Sequence, residues 1–203
     1  MIKKNFEVNK INLDNERFFL IYGINEGAKE EKINQLLQDI NKENIYSYDE
    51  KQIFENEESF LENIFSESLF ESEKYIKIDR ASDKIYRVIK IILEKKIKNV
   101  SIIVNCGTLD KKSKLRNLFE KEKSLICIAF YEDTFNVLSS LSSEFLKEHK
   151  IKISQSDLNL IINRCKGDRG NLKNELNKIK IYSLTNKKID RQTILKLTNT
   201  TEN

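Results

Sequence analysis

The sequence predicts an α/β fold, a parallel five-stranded sheet flanked by helices, followed by a small all-helical domain. Three observations carry this. Phe18–Tyr22 is a short apolar strand that runs into the loop Gly23–Glu30. A helix follows with Ile33, Leu36, Leu37 and Ile40 on one face, the strand–loop–helix layout of a phosphate-binding loop. Val100–Val104 is a β-branched run broken only by Ser101, as expected of a strand buried on both faces. From Thr134 onward the apolar residues recur at helical spacing and no strand signal returns. The expected domains are therefore 1–133 and 134–203.

In chain order, residues 1–16 alternate weakly and form a short helix or an edge strand. After the opening strand and helix, Ile45–Tyr48 reads as a brief strand. Glu57–Glu67 is a helix by the spacing of Phe60, Leu61, Ile64 and Phe65, with Asn56 as its cap. Tyr75–Asp79 is a strand, and Ser82 caps a helix carrying Ile85, Val88, Ile89 and Ile92. After Val100–Val104, Asp110 opens a helix with Leu115, Leu118 and Phe119, and Leu125–Phe130 is the last strand. Strands and helices thus alternate five times, the pattern of a helix-covered parallel sheet. The helical part reads as Thr134–Lys147, Ser156–Lys166 and Asn171–Tyr182, then a shorter helix opening at Asp190.

Composition narrows the function classes. With 39% hydrophobic and 33% charged residues the chain is globular rather than disordered. No apolar run approaches the ~20 residues of a membrane span, and no signal peptide opens it, so a cytoplasmic protein without a membrane partner is expected. Cys106, Cys127 and Cys165 are widely spaced within apolar patterns, as buried reduced thiols would be. His149 has no Cys or His neighbour to share a metal and reads as a solvated helix-end residue. Residues 151–203 hold 11 Lys+Arg against 5 Asp+Glu, whereas 49–73 hold nine acids and one base, Lys51. The lysine-rich composition favours a solvated surface over a polyanion site, and no aromatic platform for nucleic acid is interleaved.

The loop keeps the spacing of the G-x-x-x-x-G-K-[ST] template at Gly23, Ala28, Lys29 and Glu30, but not its chemistry. Ala28 carries a Cβ where the backbone should close on phosphate. Glu30 replaces the hydroxyl that holds magnesium. Asp79 ends a neighbouring strand as a magnesium-holding acid would, yet Arg80 stands where the water-activating Glu is needed. Asn105 ends the next strand, where a polar sensing residue is expected. Hydrolysis is therefore not expected, and Lys29 reads as a surface lysine in a first helical turn. The competing reading is a small P-loop ATPase or phosphotransferase with a divergent site. Arg169, within Gly167-Asp168-Arg169-Gly170, sits in a helix–turn–helix where a lid could offer an arginine to phosphate. Leu69 and Phe70 either finish the Glu57–Glu67 helix and pack inward, as a single Leu-Phe pair usually does, or stand exposed at its end amid acids, where their own neighbours cover them poorly. As an exposed wedge they are worth roughly 1.5–3 kcal/mol each in a partner's pocket.

Together these features resemble the delta-subunit family of the bacterial DNA polymerase III clamp loader. The likeness rests on Leu20-Ile21-Tyr22-Gly23, Ser68-Leu69-Phe70-Glu71-Ser72, and Gly107-x-Leu109-Asp110-Lys111-x-Ser113-Lys114-Leu115. It continues through Gly167-Asp168 into Leu172, Asn174, Glu175 and Leu176. The resemblance implies an AAA+-type module that uses no nucleotide cofactor and is non-catalytic by itself, the polymerase activity lying in another subunit. It implies that Leu69 and Phe70, with Ser68 before them, plug a pocket on the sliding clamp (the beta subunit) and hold the ring open. It further implies contacts to other clamp-loader subunits and weak or indirect contact with primed DNA. A third, collar-forming helical domain belongs to the family, and 203 residues leave no room for it, so a fragment is expected.

Overall fold

The computed structural model describes residues 2–4, 13, 16–66, 73–185 and 189–198. Contacts divide the chain into two units, Met1–Ile24 with Lys29–Phe130, and Asn25–Ala28 with Tyr131–Asn203.

The first unit is a parallel sheet. Its strands are β1 (Ile2–Lys4), β2 (Phe18–Gly23), β3 (Ile45–Asp49), β4 (Lys74–Ala81), β5 (Val100–Cys106) and β6 (Leu125–Phe130), in the order β1-β6-β2-β5-β4-β3. All five expected strands are present. The first residues add a sixth as an edge strand, β1, in parallel register with Cys127–Ala129. β2 lies between β6 and β5, with Leu20 opposite Cys127 on one side and Val104 on the other. Covering both its edges and both its faces excludes water, so Phe19, Leu20 and Ile21 are all 0% exposed.

The helices are α1 (Glu26–Leu37), α2 (Glu50–Glu55), α3 (Glu57–Phe65), α4 (Tyr86–Glu94) and α5 (Lys114–Lys121). Leu20, Tyr22, Ile78, Val104 and Cys127 share one core with Ile53, Phe60, Ile64, Val88, Ile89, Ile92, Leu115 and Phe119. Each fully buried aliphatic of that set stabilises by roughly 1.5–3 kcal/mol. α2 has no counterpart in the sequence pattern, because only Ile53 of its residues is buried. A capping box makes it: Asp49 Oδ1 accepts from Lys51 N–H at 3.0 Å, and Asp49 N–H donates to Gln52 Oε1 at 2.9 Å. Asn56 caps α3 as expected, accepting from Ser59 N–H at 3.3 Å, but the helix ends at Phe65 rather than Glu67. α5 opens later than expected, at Lys114 rather than Asp110, because Ser113 is its cap.

The second unit holds α6 (Phe135–Glu148), α7 (Gln155–Arg164), α8 (Arg169–Ser183) and α9 (Arg191–Leu197). Thr134, Ser154, Asp168 and Asp190 cap them in turn. Leu138, Leu146, Leu158, Ile161, Ile162, Leu172, Leu176, Ile179 and Ile194 form its core. His149 ends α6 as expected but is not a solvated side chain: 21% of it is exposed, and its ring lies edge-on to Phe145 at 4.5 Å. The three cysteines are buried free thiols. Burial pushes Cys106 and Cys127 up to about 12 and Cys165 up to about 11. Among the described residues no helix is long and apolar enough to cross a membrane, and no group of three or more acidic, His or Cys side chains could hold a metal.

Candidate functional site

Ligands of open α/β sheets bind beyond the carboxyl ends of the strands, where the strand order reverses. Here that edge is formed by the ends of β2, β5 and β4. Gly23 closes β2 at φ +130°, donating its N–H to Gly107 O at 3.1 Å, while Ile24 N–H donates to Phe130 O at 3.1 Å. Lys29 is not the surface lysine its position suggests. It is 1% exposed, and its Nζ donates to Cys106 O at 2.6 Å, at the end of β5. The ammonium thus satisfies a strand-end carbonyl of the protein itself. Asp79 accepts from Asn105 Nδ2 at 3.0 Å and pairs with Lys77 Nζ at 2.8 Å. Arg80 takes a positive φ of 51° and pairs with Asp49, its side chain 78% exposed. Glu30 points to solvent. Gly23, Lys29, Asn105 and Asp79 therefore meet at one sheet edge, where Lys29 and Asp79 have partners within the chain and Asn105 Oδ1 is buried without one among the described residues.

The residues between Gly23 and Lys29 belong to the second unit. A phosphate cradle needs several backbone N–H groups turned outward from a loop. Instead of a loop reaching to Glu30, helix α1 begins at Glu26, and Asn25 caps it by accepting from Ala28 N–H at 3.1 Å. Gly27 N–H faces Asp168 Oδ2 at 3.5 Å. Gly27 is helical, so its requirement is not a turn. A Cβ there would lie 2.1 Å from Gly170 N, at the start of α8, and only glycine allows that approach.

Around this contact runs a polar network. Asp133 accepts from both arms of Arg169, Nε to Oδ2 at 2.7 Å and an Nη to Oδ1 at 2.7 Å. Asn25 Nδ2 adds a bond to Asp133 Oδ2 at 2.8 Å and further bonds to Tyr131 O at 3.1 Å and Gly167 O at 3.3 Å. Asp168 Oδ1 accepts from Asn171 N–H at 2.8 Å. Arg169, the arginine a lid could have offered to phosphate, is thus committed to a carboxylate. Sequence reasoning missed Asn25 and Asp133. Asn25 carries a cap signal, an Asn one residue before a helix; nothing local marks Asp133.

The motif Gly107–Leu115 builds a helix start. Asp83 accepts from Ser113 Oγ at 2.6 Å, Leu115 N–H at 2.8 Å and Lys114 N–H at 3.2 Å. Asp110 Oδ1 accepts from Lys112 N–H at 2.6 Å, and Leu115 is 0% exposed. An open groove of about 600 Å³ runs over Ser82, Asp83, Thr108, Asp110 and Lys112. Burial pushes the Asp83 carboxyl up, but the bonds from Ser113, Leu115 and Lys114 outweigh it and hold it below its ordinary value. Its contribution is therefore complete above the unfolded carboxylate value and fades as pH falls through the lower folded one. Asp83→Asn is expected to cost about 1–2 kcal/mol at neutral pH by urea unfolding. The gap to the parent protein should narrow below about pH 4.

Ser68, Leu69 and Phe70 lie outside the described residues. The chain on either side of them is held by one side chain. Lys74 Nζ donates to Asn63 O at 2.8 Å, Ser66 O at 2.9 Å and Ser66 Oγ at 3.1 Å, closing the last turn of α3 from the first residue of β4. Arg17 pairs with Glu73 at 3.2 Å beside it.

No family model matches the chain, and no curated protein matches it in sequence. Solved structures do match. Domain III of the replication initiation protein DnaA from Thermotoga maritima aligns with a TM-score of 0.54 at 13% identity, over 95% of this chain and 87% of that one. The Bacillus subtilis DNA clamp loader delta protein aligns with a TM-score of 0.55 at 11% identity, over 95% of this chain and 61% of that one. The Thermotoga maritima RuvB Holliday junction branch migration motor aligns with a TM-score of 0.54 at 13% identity, over 89% and 60%. The chain thus spans about 60% of the length of the last two. Likeness at these identities is one of fold. The chain has the AAA+-type fold, a parallel sheet flanked by helices with a helical part after it, shared with replication-related proteins.

Proposed function

We propose that this chain is a non-catalytic AAA+ module of the clamp-loader delta type, which binds a ring-shaped sliding clamp and opens it during DNA replication. The observation that carries the reading is the start of α1. A helix from Glu26, capped by Asn25 and backed by Gly170, replaces the open loop that phosphates need. The nucleotide machinery is further spent within the chain, Lys29 on Cys106 O and Asp79 on Asn105 and Lys77. An AAA+ domain without a phosphate cradle works as a binding part.

The delta-type sequence pattern supports the clamp as its partner, as does a fold shared with replication proteins that include a clamp loader delta protein. Leu69 and Phe70, preceded by Ser68, are the proposed plug. Lys74 supports this by fixing the chain on both sides of residues 67–72. The basic residues of 151–203 suit weak contact with primed DNA, and the other loader subunits are further partners of this reading.

Two measurements test it. Calorimetry with ATP and magnesium is expected to give no saturable heat. Micromolar binding abolished by Lys29→Ala would sink the reading in favour of a divergent ATPase. Binding to the cognate sliding clamp is expected, and is expected to be lost on replacing Leu69 and Phe70.

A further inference from the structure

Asp133 has a task that no strand, helix or cap requires of it. Its two oxygens take both arms of the Arg169 guanidinium at 2.7 Å and the Asn25 amide at 2.8 Å. Only 10% of the Asp133 side chain and 17% of that of Arg169 reach solvent. Three N–H donors, two of them on one cation, converge on a single nearly buried anion. Arginine forks bind carboxylate and phosphate oxygens in the same bidentate way. We propose that Asp133 is a built-in anion, its carboxylate filling within the second unit a pocket of donors, Arg169 and Asn25, that suits a small oxyanion such as phosphate. This rests on the reading that the chain takes no nucleotide at its degenerate loop, and it says what replaces the nucleotide's charge there.

The same geometry limits what could enter if Asp133 were gone. Gly27 and Gly170 approach so closely that a single added Cβ would meet Gly170 N at 2.1 Å. Asp168 already bridges the two helix starts, Gly27 N–H of α1 at 3.5 Å and Asn171 N–H of α8 at 2.8 Å. A triphosphate chain therefore has no path along α1, and only the volume of the deleted carboxylate becomes free. The expected guest is inorganic phosphate, not ATP. The functional consequence is that Asn25–Ala28 stays joined to α8 with no ligand bound, since the counter-charge is part of the chain.

The test is chemical rescue. Thermal unfolding of the Asp133→Ala chain is followed in sodium phosphate and in sodium chloride of equal ionic strength, beside the unsubstituted chain and an Asp133→Ala/Arg169→Ala chain. Phosphate at about 50 mM is expected to raise the midpoint of Asp133→Ala by about 3 °C or more beyond its effect on the unsubstituted chain. The double variant should gain nothing further. Equal responses in all three chains overturn the proposal, as does a double variant that responds like Asp133→Ala. Should Asp133→Ala not fold in chloride, Asp133→Ser carries the same comparison, and a cooperative transition that returns only in phosphate supports the proposal. Failure of both variants to fold in either salt overturns it. ATP binding by the unsubstituted chain would sink the nucleotide-free reading instead. A missing phosphate response without ATP binding sinks this inference alone.

Discussion

Gly23→Ala is expected to destabilise the first unit by about 4 kcal/mol or more, at the extreme of single-residue effects. Two costs combine. The residue sits at φ +130°, which a side chain rarely adopts, and an added Cβ would lie 2.0 Å from Phe130 O and 2.8 Å from Phe130 C. Neither backbone can yield cheaply. Phe130 O accepts the Ile24 N–H at 3.1 Å, Gly23 N–H is held by Gly107 O at 3.1 Å, and β2 and β6 are neighbours in the ladder, buried throughout but for Phe18. For a chain of this size the midpoint should fall by roughly 8–16 °C. Gly107→Ala is the control, because a Cβ there meets nothing within 4 Å, and its cost should stay near 0.5 kcal/mol. Similar losses for the two variants, measured by urea unfolding, would show that the close approach of β2 and β6 does not set the Gly23 requirement.

Replacing Leu69 and Phe70 together by alanine is expected to weaken clamp binding by about 4 kcal/mol, close to a thousandfold, if they act as paired anchors. Each should cost roughly 2 kcal/mol alone, the size of an apolar side chain removed from a pocket. The two need not add, because emptying one half of a shared pocket loosens the other half. The loss should fall on dissociation rather than association, since the segment 67–73 is acidic on both sides of the pair and its charges are unchanged. Thermal stability should be unaltered, which separates a lost contact from a lost fold. A double variant that binds the clamp as tightly as the parent removes these residues from the interface and leaves the clamp assignment without its contact.

Much of the framework was readable from local pattern. The five strands from Phe18 to Phe130 announced themselves by apolar runs, and the switch to helices at Thr134 by a change of period. Caps such as Asn56 and Asp190 were legible because a cap bonds backbone only two or three residues away, whereas Ser82 caps a 3-10 turn, Asp83–Ile85, and α4 begins after it at Tyr86. The same locality explains the errors. α2 was invisible because one buried residue, Ile53, makes no period. The start of α1 was set too late because the phosphate-loop template predicts a loop wherever its spacing is kept, whereas Asn25 starts a helix there.

The candidate site divides along the same line. By itself the sequence determined which functional groups stand at the template positions, Ala28, Glu30 and Arg80 in place of a glycine, a hydroxyl and an acid. It could not place Lys29, whose carbonyl partner Cys106 lies 77 residues away, nor couple Asn25 to Asp133 across 108 residues. Arg169 alone suggests a hand held out to phosphate; with Asp133 at 2.7 Å it is a hand already taken. Such pairings come from packing, because burial makes every charge find a partner and only the tertiary fold decides which one is within reach.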